Sequence, residues 1–193
     1  MNIYYTTPQV TGAVQPFKEF SLGGFKSSNL VNDLFSDISM YTEDKMQDEY
    51  VGLILWNDSG ELAESIELWF NYPVDDNNIQ TNLAKLSVAA VALDSKNTMQ
   101  HVGNSSTKPS NVTFYEADGQ DNAVGLGDLD INKGLGIWIK RSLIKERITA
   151  KKVNDTLNYN YQNNIQLITL EEIKLSINWG TQYYPGNLGA DNI

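Results

Sequence analysis

The residues best equipped for chemistry are one histidine, His101, and four aspartates, Asp118, Asp121, Asp128 and Asp130. An imidazole can take or give a proton near neutral pH. Acyl transfer also needs a nucleophile beside the ring and an acid to orient it. The stretch Met99-Gln100-His101-Val102-Gly103 supplies no Gly-x-Ser-x-Gly elbow, so His101 reads as a loop or strand-edge residue. The aspartates invite a calcium reading. A calcium loop sets oxygen ligands at alternate positions, a central glycine and a terminal bidentate glutamate. Asp118-Gly119-Gln120-Asp121 breaks that pattern and reads as solvated loop carboxylates. Paired carboxylates could also hydrolyse a glycosidic bond, but any acidic chain offers such pairs by composition alone. Gly125-Leu126-Gly127 and Gly134-Leu135-Gly136 continue neither into a dinucleotide pattern nor into a Lys-Ser/Thr pair. Both read as turn glycines beside strands. No catalytic, cofactor-binding or metal-ligating residue is assigned. The expectation is a protein that is not an enzyme and carries no cofactor.

Cysteine is absent, which removes disulfides and thiolate zinc sites. The tryptophans Trp56, Trp69, Trp138 and Trp179 sit inside strand-like runs. They could line a sugar-binding face, although packing in a core or between subunits is the commoner use of so large a ring. The formal net charge is -10, a balance repelled by nucleic acid and by anionic membranes. Neither specific nucleic-acid binding nor membrane association is expected. Lys140, Arg141, Lys145, Arg147, Lys151 and Lys152 form the basic cluster, read as a solvated face or an interface patch. No apolar run approaches the ~20 residues that span a bilayer. The start, Met1-Asn2-Ile3-Tyr4-Tyr5, lacks the basic-then-apolar order of a secretory signal. The reading is a protein made and used in a cytoplasm.

The elements that would position these residues are mostly strands. With 193 residues, 41% of them hydrophobic, the chain suits one domain with extensions. Residues 1–28 mix Pro8, Gly12, Pro16, Gly23 and Gly24 with aromatics and read as an extended N-terminal arm. Leu30, Leu34, Phe35 and Ile38 have the spacing of a short helix or turn. Val51–Trp56 is a continuous apolar run, fit for a strand buried on both faces. Across Asn57-Asp58-Ser59-Gly60, alternation at Ile66, Leu68 and Phe70 predicts a hairpin with that run. Leu86, Val88, Ala90 and Ala92 form one side of the next predicted strand. Val112–Tyr115 is a short strand. Leu135, Ile137 and Ile139 make an inward row, with Trp138 and Lys140 opposite. Ile173, Leu175, Ile177 and Trp179 alternate with Lys174, Ser176 and Asn178. Frequent asparagine, clustered at Asn77–Asn78 and Asn158–Asn164, predicts many loops. About seven strands divided by turn residues predict an all-β, two-sheet antiparallel β-sandwich over residues 29–180. The C-terminal tail, residues 181–193 with Tyr183 and Tyr184, is predicted to be extended and to order only by docking.

The order of these pieces resembles a known family. Asn32-Asp33-Leu34-Phe35-Ser36-Asp37-Ile38-Ser39 is followed by an acidic linker and by Tyr50-Val51-Gly52-Leu53-Ile54-Leu55-Trp56-Asn57. A Trp-bearing strand ends at Phe70, and Met99-Gln100 precedes a Lys108-Pro109 loop. Val112-Thr113-Phe114, Leu126-Gly127-Asp128-Leu129 and Gly136-Ile137-Trp138-Ile139-Lys140-Arg141 complete the series. The chain looks like virion structural proteins of tailed phages over roughly residues 28–142. It departs from them between Ser142 and Leu170, where a basic and then asparagine-rich segment replaces a short Pro-Gly-Ala-rich loop.

The resemblance implies a structural component of a virion, made in the bacterial host cytoplasm, and no catalytic residues. Its first form is a neck or tail protein assembled as a cyclic homo-oligomer, meeting portal, tail or capsid proteins. A capsid decoration protein and a carbohydrate-binding module are the alternatives. Trp138, Lys140, Arg141, Tyr183 and Tyr184 are the candidate subunit-interface residues, since Trp and Arg favour such contacts and extended termini can add strands to a neighbour's sheet.

Overall fold

Alternating apolar residues give a strand two rows of side chains, and in the central strands of this protein both rows are buried. The computed structural model describes residues 1–8, 20–31, 34–35, 48–71, 84–143 and 174–178. Its strands are β1 (Asn2–Thr7), β2 (Gly24–Leu30), β3 (Glu49–Trp56), β4 (Ala63–Asn71), β5 (Ala84–Ala92), β6 (Thr98–Met99), β7 (Val124–Leu129), β8 (Gly134–Leu143) and β9 (Lys174–Asn178). A six-stranded sheet runs β5-β8-β3-β1-β2-β6, and a three-stranded sheet runs β7-β4-β9. Every strand pairing among the described residues is antiparallel. Among the described residues there is no α-helix; a 3-10 turn spans Gln120–Asn122. No helix there is long and apolar enough to cross a membrane. The fold is all-β and antiparallel, as the period-two patterning predicts.

β3 lies between β8 and β1 and sets the core. Val51, Leu53 and Leu55 point to one face; Tyr50, Gly52 and Ile54 point to the other, and all six are buried. The first face joins Ile137 and Ile139 of β8 with Ile66, Leu68 and Phe70 of β4 in one apolar cluster, so that cluster draws on both sheets. Each fully buried side chain of this size contributes roughly 1.5–3 kcal/mol. The second face joins Tyr50, Ile54, Ala89 and Trp138 with Leu22, Met99 and Val102. Largely irregular chain, rather than a sheet, covers it.

Several expectations are corrected. The hairpin between Val51–Trp56 and the strand ending at Phe70 does not form, because β3 and β4 belong to different sheets. Buried Asn57 explains the crossing. Its Nδ2 donates to the carbonyls of Glu61 and Leu129, each at 2.7 Å, and its Oδ1 accepts from the Ser59 hydroxyl at 2.6 Å. These bonds tie the link to β7 rather than folding it back on β3.

The N-terminal arm is also revised. Asn2–Thr7 is an interior strand between β3 and β2, with Tyr5 and Thr6 buried. Ile, Tyr and Thr are strand formers, and the neighbouring Pro and Gly obscured them. Leu30 ends β2 instead of starting a helix, while Phe35 packs in the core; Ile38 lies outside the described residues. Only Tyr115 of the Val112–Tyr115 run pairs, in a single bridge to Val88. Gly125 and Gly127 are inside β7, where Gly127 has φ 77° beside a register shift. Ala90 and Ala92 are exposed rather than inward.

Candidate functional site

Sequence alternation sends Trp138 and Ile139 to opposite faces of β8, which the structure bears out. The second face is covered, however, so Trp138 is fully buried within its own chain. Its ring lies over Gly52, its cross-strand partner in β3. A Cβ at Gly52 would stand 3.1 Å from Trp138 Cη2 and 2.8 Å from the Gly23 nitrogen. Gly52 is therefore the space the indole needs. The Trp138 Nε1–H has no hydrogen-bond partner among the described residues, a costly state for a buried donor.

Arg141 is buried as well. Its Nε donates to Glu49 Oε2 at 2.7 Å, its Nη2 bonds the same oxygen, and the guanidinium sits 4.6 Å from the Phe35 ring centroid. Neither Trp138 nor Arg141 is thus free to meet a neighbouring subunit. Lys140 is partly exposed, 3.9 Å from Asp48 and 5.9 Å from the Phe114 ring centroid. Tyr183 and Tyr184 lie outside the described residues, as do Lys145, Arg147, Lys151 and Lys152. Trp69 is buried and Trp56 half-buried beneath Lys26, whose Nζ also stands 4.0 Å from the Tyr4 ring centroid. No described tryptophan offers an exposed sugar-binding face.

His101 is exposed, as are Asp118, Asp121, Asp128 and Asp130. Asp118 accepts from Asn122 Nδ2 at 2.7 Å, and Asp128 accepts from the Ser65 N–H at 2.8 Å. Among the described residues no group of three or more His, Cys, Asp or Glu could hold a metal.

Two other carboxylates are more strongly held. Asp94 lies below the ordinary carboxylate value of 3.8, first through the Thr98 N–H and then through the Thr98 hydroxyl. Asp58 is pushed up by burial, but hydrogen bonds from Asn2, Tyr4 and the Met1 ammonium outweigh this and leave it lowered. The Tyr4 hydroxyl donates to it at 2.9 Å, and the Met1 ammonium stands 3.2 Å away. The sequence marked Asn57–Gly60 as a turn but gave no sign of its partners at the N-terminus.

The remaining feature is a cleft of about 410 Å³. One wall is the end of β5 from Val91 onward to Asp94; the others are Thr98–Gln100 and Ser110–Val112, with Trp138 as the floor. Sequence periodicity could not find it, because two of its walls have no regular repeat. No family model matches this chain, and neither a curated protein nor a solved structure matches it.

Proposed function

We propose that this protein is a structural component of a tailed-phage virion, with its two sheets forming a β-sandwich and copies assembling into a neck or tail ring. One observation carries the reading: the motifs behind the family resemblance meet in space. Phe35 lies against Arg141, Tyr50 packs at a tilt against Phe114 with ring centroids 5.6 Å apart, Trp138 covers Gly52, and Asn57 holds the Leu129 carbonyl. Their order along the chain thus has a common physical cause, a frame that each motif helps to lock. Such a frame suits a scaffold whose role is shape. The acidic balance, -10 overall, keeps free subunits soluble and would let DNA pass a lumen without sticking.

Native mass spectrometry of the full chain is expected to give one closed oligomer. Antibody labelling in electron micrographs is expected to mark the neck or tail of particles. Label over the shell would replace this reading with capsid decoration. A monomer at every concentration, together with unlabelled particles, would overturn it.

A further inference from the structure

Two copies of a chain with net charge -10 repel each other, so they approach most easily where charge is sparse. Residues 86–93 and 110–115 carry no charged side chain, and they lie side by side. Val88 and Tyr115 exchange two backbone hydrogen bonds, each 2.9 Å, across the edge of β5 that faces away from β8. Past this bridge the stretches part, and among the described residues β5 has no further pairing on that edge. Groups directed to one edge of an antiparallel strand recur at every second residue. The N–H and C=O of Ala90 and Ala92 therefore point the same way as those of Val88. Among the described residues no hydrogen bond reaches them there, and both alanines are exposed. Asp94 closes the window. Its N–H donates to the Thr98 carbonyl at 2.9 Å, and its carboxylate gathers the N–H groups of Lys96 and Thr98 into a turn. The opposite edge of the same sheet is guarded. β6 covers the start of β2, and farther on the Ser27 hydroxyl donates to the Asn29 carbonyl and accepts from the Asn29 N–H. Between Val88 and Asp94, β5 has neither the lysine nor the proline that commonly blunts an edge.

We infer that β5 of one copy pairs with β5 of a second copy, antiparallel and about a twofold axis at Val91. Ala90 would then stand opposite the partner subunit's Ala92, and Ala92 opposite the partner subunit's Ala90. Each couple would exchange two N–H···O bonds, as hydrogen-bonded antiparallel couples do. The window suits a copy of itself, because its outward groups sit at the first and third of three residues and reversal brings donors to acceptors. Its length, set by Tyr115 at one end and the Asp94 turn at the other, leaves little room for a longer strand. Small alanines on one face keep the axis free of bulk. Tyr115, 55% exposed, shares that face with Val88 and Ala90 and offers an aromatic ring for the pair to cover. On the other face a cleft of about 410 Å³ separates Val91 from Val112, which leaves space for the partner subunit's Val91. Three paired residues bury far less than the ~1,200 Å² of a stable interface, so the pair forms only at high protein concentration. The inference goes beyond the ring reading and does not rest on it: a twofold contact closes on itself, whereas a ring needs a different surface.

The chain contains no cysteine, so single cysteines can report the register. Val91→Cys, Ala90→Cys, Ala92→Cys and the exposed control Gly103→Cys, which has open space around it, are made in the full chain and treated with oxidised glutathione at high protein concentration. Facing residues of a non-hydrogen-bonded couple have Cα atoms about 4.5 Å apart, within reach of a disulfide. Two copies of residue 90 would lie more than ~7 Å apart, beyond that reach. Val91→Cys should therefore form disulfide dimers about tenfold faster than Gly103→Cys, because pairing raises the effective concentration of the thiols. Ala90→Cys and Ala92→Cys should each match the control alone and link as readily as Val91→Cys when mixed. Val91→Cys that links no faster than the control overturns the pairing. So does Ala90→Cys that links by itself as fast as Val91→Cys, since the register would then differ. A thermal melt checks each fold; should Val91→Cys not fold, a mixture of Ala90→Cys and Ala92→Cys that stays at the control rate overturns the pairing equally. Either failure leaves the ring reading to the native mass of wild type, which tests it separately.

Discussion

The two faces of the six-stranded sheet are buried by different means. One shares an apolar cluster with residues of β4 and β7, in which Leu53, Leu55, Ile137 and Phe70 all take part. The other lies under Leu22 and the 98–114 stretch, with one large ring, Trp138, fitted over a glycine. The first face is mainly apolar, with the buried Arg141–Glu49 pair at one end of its rows. The second depends on close approach, and it carries an unpaired donor and a cleft. A sheet can bury both sides of its strands without a second sheet on each, at the cost of a less complete cover.

The contrast can be broken by mutation. Phe70→Ala, on the regular face, should cost about 3–5 kcal/mol, read as a lower urea midpoint. Gly52→Ala, on the irregular face, should cost about 1–3 kcal/mol by overpacking, since Gly23 backbone and the Trp138 ring both press on the added carbon. A loss as large as that of Phe70→Ala would mean that the loop-covered face is no softer than the other. Trp138→Phe should cost still less, about 1 kcal/mol, because the lost packing is partly offset by removing an unsatisfied N–H.

The smallest effects concern pH. The carboxyl of Asp94 lies below its ordinary value of 3.8, so the stability it gives is whole above that value and is lost as pH falls through the lowered one. Asp94→Asn should flatten the acid limb of a stability profile below the ordinary carboxylate value of 3.8. Tyr50, on the irregular face, is raised above 10.0 by burial first and by the Asp48 charge second. Its contribution is whole below 10.0 and fades as pH rises through the raised value. Tyr50→Phe should flatten the alkaline limb.

Much of the regular face was legible in the sequence. The inward row of β8 read directly from period two, and the continuous run Val51–Trp56 signalled burial on both sides of β3. Trp138 shows where such reading stops. Alternation put it opposite Ile139, correctly, but cannot say whether that side meets solvent, a subunit or the chain itself. Its cover comes from Leu22, Met99 and Val102, too scattered in sequence to show a repeat. The β3–β4 hairpin failed for a similar reason. The turn residues were recognised, but the partners of Asn57 lie in part on β7, far along the chain. Arg141 looked like a surface cation until Glu49 and Phe35 closed around it. Lys140, one residue away on the other face, keeps partial access to solvent.

The strand order carries a consequence for synthesis. β1 and β2 are translated early and can clasp one flank of β3, but the other flank waits for Gly134–Leu143. While the intervening chain is being made, a strand apolar on both sides stands with a bare edge, the kind of surface that sticks to other nascent chains. Heavy dependence on such distant pairings also slows folding. Pausing the ribosome before β8 emerges should therefore give a nascent chain that holdase chaperones bind, and release beyond Leu143 should let it go.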